Sequence, residues 1–211
     1  MWIERARGLY ERGIYAGDDA ALAASDRELD AVEAALCLAR GRVLHVRFVQ
    51  GGEADPRELA LFERAGALFK AVGDRRGEGE SAFWEGCYHQ VVEGDLDRAL
   101  PLFRRAGELA AETGDLATLA EVLRHQGIAA HRSGRLDEAR ERLTESSRLR
   151  RELGSPAGVA SNHVGLIRIA VAQGRHDEAL ALADEARALA ASCGADRVAA
   201  HVEEARATIP T

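Results

Sequence analysis

Apolar residues through most of the chain recur every three or four positions, as they do on one face of an α-helix, and short breaks containing glycine separate these stretches. The pattern predicts antiparallel helix pairs and no β-strands. Further helices are predicted over residues 2–15, after residues 18–19, and around residues 198–205. The pairs themselves are expected at residues 26–50 and 56–72, 77–92 and 96–113, 116–132 and 136–153, and 156–173 and 176–192.

The breaks carry residues that end one helix and begin the next. A glycine follows a helix at Gly73, Gly114, Gly154 and Gly194, where a left-handed residue is least costly as glycine. Capping residues then open the following helices, and proline tolerates the first helical position. The expected caps are Asp18, Asp55 before Pro56, Asp74, Asp115, and Ser155 before Pro156.

One sequence phrase recurs at intervals of 40 residues. It reads GDLDRAL at residues 94–100, GRLDEAR at residues 134–140 and GRHDEAL at residues 174–180. An upstream copy at residues 61–74 resembles residues 102–115 and is one residue out of this frame. A period of this length is typical of a solenoid, in which each unit buries its apolar face on its neighbours.

The unit resembles the second half of a tetratricopeptide repeat. Gly134 and Ala139 are followed by a large apolar residue, Leu143, and a small one, Ser146. Counting back from Gly134 places Gly127 at the small position where the two helices of a repeat cross, and the same frame places Cys87 there in the preceding repeat. The resemblance covers roughly residues 26–194. It implies an all-α fold, a right-handed superhelical solenoid of antiparallel helix pairs.

The expected organisation is one continuous solenoid, because no proline- or serine-rich linker divides the chain. An N-terminal helical cap (residues 1–25) precedes four helix pairs, and a C-terminal helix (195–211) covers the other end of the stack. The four pairs are expected at residues 26–73, 74–114, 115–154 and 155–194. The period is longer than the 34 residues common in the family, and glycine replaces the proline that usually closes a repeat.

The resemblance also implies that the first helix of each pair lines a concave groove. The family's groove positions fall on Glu121, Arg124, His125, Ile128, His131 and Arg132 in the third repeat, and on Ser161, Val164, Gly165, Arg168, Val171 and Ala172 in the fourth. In the second repeat they include Trp84 and Tyr88, and Arg40 and Arg47 would share a face of the first. The candidate binding residues are therefore Arg40, Arg47, Trp84, Tyr88, Arg124, His125, His131 and Arg168.

Arginine and aromatic residues are the types that dominate binding energy once they are desolvated, and arginine binds carboxylates in bidentate fashion. An acidic protein or peptide partner would suit such a wall. An alternative for Trp84 and Tyr88 is that they pack between adjacent helices.

Composition narrows the range of partners. The chain has 28 basic and 35 acidic residues and a net charge of −7, which disfavours nucleic acid as a partner. Lys70 is the only lysine, and this bias towards arginine is typical of GC-rich bacterial genomes. No signal peptide or membrane-spanning run is evident, and the three cysteines are few and widely spaced, so a reducing cytoplasm is the expected location.

The sequence contains no catalytic signature, no metal-ligand spacing and no phosphate-binding loop, so no metal, cofactor or enzymatic activity is expected. The leading hypothesis is a cytoplasmic scaffold that binds a protein or peptide, which a free-standing chain favours, with a homodimer left open. The alternative is a small-molecule sensor or a regulatory or biosynthetic accessory protein that uses the same groove. An enzyme built on the repeats is a weaker third hypothesis.

Overall fold

A computed structural model of the chain describes residues 2–210. These residues form ten α-helices and one π-helical segment and contain no β-strand, which confirms the all-α prediction. The elements are α1 (Trp2–Ala16), α2 (Asp19–Val49), α3 (Arg57–Val72), α4 (Arg75–Cys87), the π-helical segment (Tyr88–Glu93), α5 (Leu96–Thr113), α6 (Leu116–Arg132), α7 (Leu136–Glu152), α8 (Pro156–Ala172), α9 (His176–Ser192) and α10 (Asp196–Arg206).

The chain divides into two compact units, one ending at Leu109 and the other beginning at Ala110, with α5 continuing across the boundary. In the first unit α1 packs on α2, α2 on α3, and α3 on α4. In the second unit α6 packs on α7, α7 on α8, and α8 on α9, and α10 packs on both α8 and α9. Each unit is therefore built from consecutive helix pairs, as the repeat pattern predicted.

The helices α6 to α9 follow one another at a spacing of 20 residues. Each contains 17 residues, and each turn between them contains a glycine with φ between 65° and 74°. Only glycine adopts this left-handed backbone without a steric cost, so the turn can reverse the chain in three residues. The helix α10 begins in the same frame, after Gly194.

Helix starts mostly follow the predicted capping. The carboxylates of Asp18, Asp74 and Asp115 accept hydrogen bonds from backbone N–H groups three residues further on, and Asp55 accepts one from the Arg57 N–H. Ser155 occupies the cap position of α8, but its side chain makes no capping hydrogen bond, so that expectation was wrong.

The expected short helix after Asp18 is instead the start of α2, a continuous helix of 31 residues. The reason is local: no glycine or proline occurs between Asp18 and Arg40, so nothing in this stretch ends the helix.

The π-helical segment explains the one-residue slip between repeats. Residues 74–94 contain one residue more than the corresponding residues 115–134, and a π-helical turn accommodates an added residue. Residues before the segment are therefore displaced by one from the frame counted back from Gly94.

Because of this displacement, the two helices of the second repeat do not cross at the predicted residue, Cys87, but one residue earlier. A β-carbon at Gly86 would lie 2.7 Å from the Phe103 ring, just as one at Gly127 would lie 2.9 Å from Leu143. Gly86, and not Cys87, is therefore the residue at which α4 closely approaches α5. Cys87 is buried beside it.

This register predicts opposite effects for two helical glycines. A β-carbon at Gly66 would make only an ordinary contact, 3.5 Å from the Ser81 Cβ, so Gly66→Ala should raise the free energy of unfolding by about 0.5–1 kcal/mol through helix propensity. Gly86→Ala gains the same propensity but overpacks against the fully buried Phe103, and it should lower the free energy of unfolding by about 1–3 kcal/mol. Urea unfolding followed by circular dichroism measures both, and equal stability of the two variants would contradict the register.

Candidate functional site

A cavity of about 230 Å³ lies between α6 and α8 in the second unit. Eight of the twelve groove positions expected in these two helices line it, together with Leu143 of α7 and Asn162 of α8. The eight are Arg124, Ile128, His131, Arg132, Ser161, Val164, Gly165 and Arg168. The structure thus brings together Arg124, His131 and Arg168 among the predicted site residues, while His125 lies outside this cavity.

The chemistry of the cavity is cationic and apolar. Arg124, Arg132 and Arg168 line it with His131, and no aspartate or glutamate is among the lining residues that the structure describes. Arg124 donates a hydrogen bond from Nη2 to the Ser161 hydroxyl at 3.0 Å, which holds its guanidinium across the cavity from α6 to α8. Such a site suits an anionic group with an apolar neighbour, because the guanidinium geometry matches carboxylate and phosphate.

Asn162 adds a hydrogen-bond acceptor that the sequence analysis missed. Its side chain is fully buried, and Nδ2 donates to the hydroxyls of Ser146 at 2.9 Å and Ser147 at 3.2 Å. Both hydroxyls donate in turn to backbone carbonyls, those of Ala120 and Leu143. Because the serines can only accept from Asn162, the amide orientation is set by the network.

As a result, the Asn162 Oδ1 is a buried acceptor that has no hydrogen-bond partner within residues 2–210. A buried acceptor without a partner is costly to the folded state, and because the Asn162 side chain is closed to solvent, its role in this unit is structural. The signal in the sequence was an asparagine in the middle of a helix rich in apolar residues.

In the first unit, Trp84 packs into the helical core. Its ring stacks on Phe62 at 5.9 Å between centroids and meets the rings of Phe83 and His45 edge-on at 5.3 and 5.5 Å. Trp84 and Tyr88 both pack against the buried cluster that contains Phe62. Trp84 and Tyr88 therefore pack between adjacent helices, which was the alternative to their lining the groove.

The arginine beside Trp84 is Arg42 rather than Arg40 or Arg47. Gly41 lies against the Phe62 ring and is the close-approach residue of α2, which turns Arg42 towards α4. The Arg42 guanidinium carbon lies 5.3 Å from the centre of the Trp84 ring, and its Nη1 donates to Glu80 at 2.8 Å. Counting from Gly41 would have identified Arg42 in the sequence.

Arg40 and Arg47 share a face, as expected, but that face lines a different cleft. It lies between α2 and α3, has a volume of about 760 Å³ and does not include Trp84. Val43, Leu44 and Leu61 are among its apolar residues.

Two carboxyl groups of the first unit, the fully buried Glu58 and the half-buried Glu85, have raised pKa values. Burial is the main cause of the rise for Glu85, to which the negative charge of Glu63 adds. Burial likewise raises the pKa of Glu58, and the hydrogen bond between its Oε1 and the His45 Nδ1, at 2.8 Å, opposes this rise. Neither group lies in the cationic cavity, so the electrostatics of that cavity come from its arginines.

Other chemistry is not evident in the part of the chain that the structure describes. Residues 2–210 contain no group of three or more His, Cys, Asp or Glu side chains arranged to hold a metal ion. No helix among them is long and apolar enough to cross a membrane. The three cysteines are free thiols.

Comparison with known families identifies part of the chain. Residues 87–152 match the family model of the tetratricopeptide repeat. This segment runs from the end of α4 through α7 and includes Arg124 and His131 of the cavity. No curated protein gives a significant match to the chain.

The packing of Trp84 predicts a structural role for its ring. Trp84→Ala should lower the free energy of unfolding by about 3 kcal/mol, because it leaves a void beside Phe62 and His45. Arg42→Ala removes the half-exposed cation above the ring and its surface ion pair with Glu80, and it should lower the free energy of unfolding by about 1 kcal/mol. Thermal and urea unfolding of the two variants provide the test; a Trp84→Ala protein as stable as the wild type would show that the ring is not part of the core.

Proposed function

We infer from the tetratricopeptide repeats of this chain that it is an interaction scaffold, and we propose that it binds an acidic protein or peptide segment in the cytoplasm. The repeat family supports binding of a protein partner in general. The acidity of the partner and the residues that bind it are proposed from the cavity between α6 and α8.

The observation that carries the proposal is the convergence of three arginines and a histidine on one cavity in a protein of net charge −7. A carboxylate of the partner would enter between Arg124 and Arg168, with bidentate hydrogen bonds from a guanidinium. An apolar side chain next to that carboxylate would contact Ile128 and Val164.

The size of the cavity supports a second candidate, a small anionic metabolite. A volume of about 230 Å³ is below the range of drug-sized pockets and would hold a compact carboxylate or phosphate ester. In this case the protein would be a sensor or accessory protein, and the same arginines would bind the ligand.

The proposed function predicts a specific loss of binding in arginine variants. Arg124→Ala and Arg168→Ala should each weaken binding of acidic, leucine-containing peptides by about 1–4 kcal/mol, the range for desolvated anchor residues. Fluorescence anisotropy with a set of labelled peptides measures the affinity. Arg187→Ala serves as the control, because Arg187 is an exposed arginine of α9 that pairs with Asp184 and does not line the cavity.

Unchanged peptide binding in Arg168→Ala, with the wild-type affinity retained, would contradict the assignment of the cavity. A thermal-shift screen of carboxylates and phosphate esters separates the two candidates. Stabilisation by small anions with no peptide binding would favour the sensor.

A further inference from the structure

The helix α2 exposes an apolar stripe that its own unit covers only in part, at the N-terminal end, where Leu22 packs against Gly13 of α1 and Leu29 lines a cleft with Trp2 and Ala6. Leu22, Leu29, Leu36 and Val43 are spaced seven residues apart, and each is 40–52% exposed. The opposite side of the helix is already occupied, since Ala34, Leu38, Gly41 and His45 are buried. An exposed heptad stripe about six turns long is typical of a helix that pairs with another helix.

Four exposed charged residues follow the stripe on one side, also seven residues apart. They are Asp26, Glu33, Arg40 and Arg47, so the order along the helix is negative, negative, positive, positive. Asp26, Arg40 and Arg47 make no ion pair within residues 2–210, while Glu33 binds Arg64 of α3 at 2.9 Å on the surface. Among the residues that the structure describes, the charges along the stripe that form no ion pair are thus of opposite sign at its two ends.

This pattern is complementary to itself when reversed. If two copies of α2 lie antiparallel with Leu36 facing Leu36, then Leu29 of each faces Val43 of the other. The same alignment sets Asp26 beside Arg47 and Glu33 beside Arg40, on both sides of the two-fold axis. A parallel alignment would place like charges together, and a two-fold interface requires this kind of self-complementarity.

We propose that the α2 stripe is the interface of an antiparallel homodimer. The cleft between α2 and α3 provides space for the partner helix, and Val43, Leu61, Arg40 and Arg47 are among the residues that line it. The N-terminal half of the partner's helix would fill this cleft with leucine and present its acidic side to those arginines. The inference does not depend on the cationic cavity, which lies in the other unit.

Charge reversal tests whether Asp26 and Arg47 pair across the interface, because two misfolded variants would not form a dimer again when they are mixed. Sedimentation-velocity ultracentrifugation of the full chain should show a wild-type dimer. Asp26→Arg and Arg47→Asp each convert both Asp26–Arg47 pairs to like charges, and each should raise the dissociation constant about tenfold or more. Neither residue makes an ion pair within residues 2–210 and both are exposed, so both variants should fold, although Arg47→Asp also removes a positive charge that helps to lower the pKa of Asp55.

Mixing the two single variants should restore the dimer. In the mixed dimer, the arginine introduced at position 26 of one chain meets the aspartate introduced at position 47 of the other, while the native Asp26 and Arg47 form the second pair. Recovery of the wild-type dissociation constant in the mixture, and also in the double variant Asp26→Arg/Arg47→Asp, is the expected result.

A second variant tests the apolar centre of the interface. Leu36→Glu places two carboxylates at the two-fold axis and should abolish the dimer, whereas Leu153→Glu, at an exposed leucine of the other unit, should leave it intact. A wild-type chain that stays monomeric at 100-fold dilution and at its highest soluble concentration overturns the proposal. So does a dimer that responds to neither Leu36→Glu nor the charge reversals, because its interface would then be another surface.

Discussion

The packing of the first three helix pairs depends on the absence of a β-carbon at one position of each first helix. Gly41 lies against Phe62, Gly86 against Phe103, and Gly127 against Leu143, each time a glycine of one helix beneath a large buried side chain of the next. The approach is close enough that any side chain would have to displace that neighbour, because protein cores have no free volume to absorb it. This crossing decides which face of each first helix packs on α3, α5 or α7. It also decides which faces are left for other contacts.

The crossing explains why an added residue is tolerated between Asp74 and Gly94. An extra residue within a regular α-helix would rotate either Gly86 or the turn at Gly94 out of place. The π-helical segment absorbs it after Gly86, so that both the crossing and the left-handed turn keep their positions. The segment therefore reconciles two fixed contacts that a regular helix would not satisfy together.

Net charge and local charge diverge in this protein. The chain is acidic overall, yet the cavity between α6 and α8 and the cleft between α2 and α3 are both lined by arginines with no acidic lining residue among those described. Most other arginines on the surface pair with nearby carboxylates, as Arg140 does with Glu178 and Arg151 with Glu185. In the cleft, Arg57 and Arg64 also pair, with Asp55 and Glu33. Arg40 and Arg47 are therefore the arginines there that lie beside apolar side chains and form no ion pair among the described residues.

The sequence by itself determined the local structure: the helix pairs, the turns at the spaced glycines and the caps at Asp74 and Asp115 are contained in short stretches of chain. It also identified Arg124, His131 and Arg168 as neighbours, because α6 and α8 keep the uninterrupted frame. Contacts between segments decided the rest. The crossing at Gly41 selected Arg42 over Arg40, the π-helical segment replaced Cys87 by Gly86, and the serines of α7 oriented Asn162. Such contacts join residues far apart in sequence, and a periodic pattern holds no information about which of them meet.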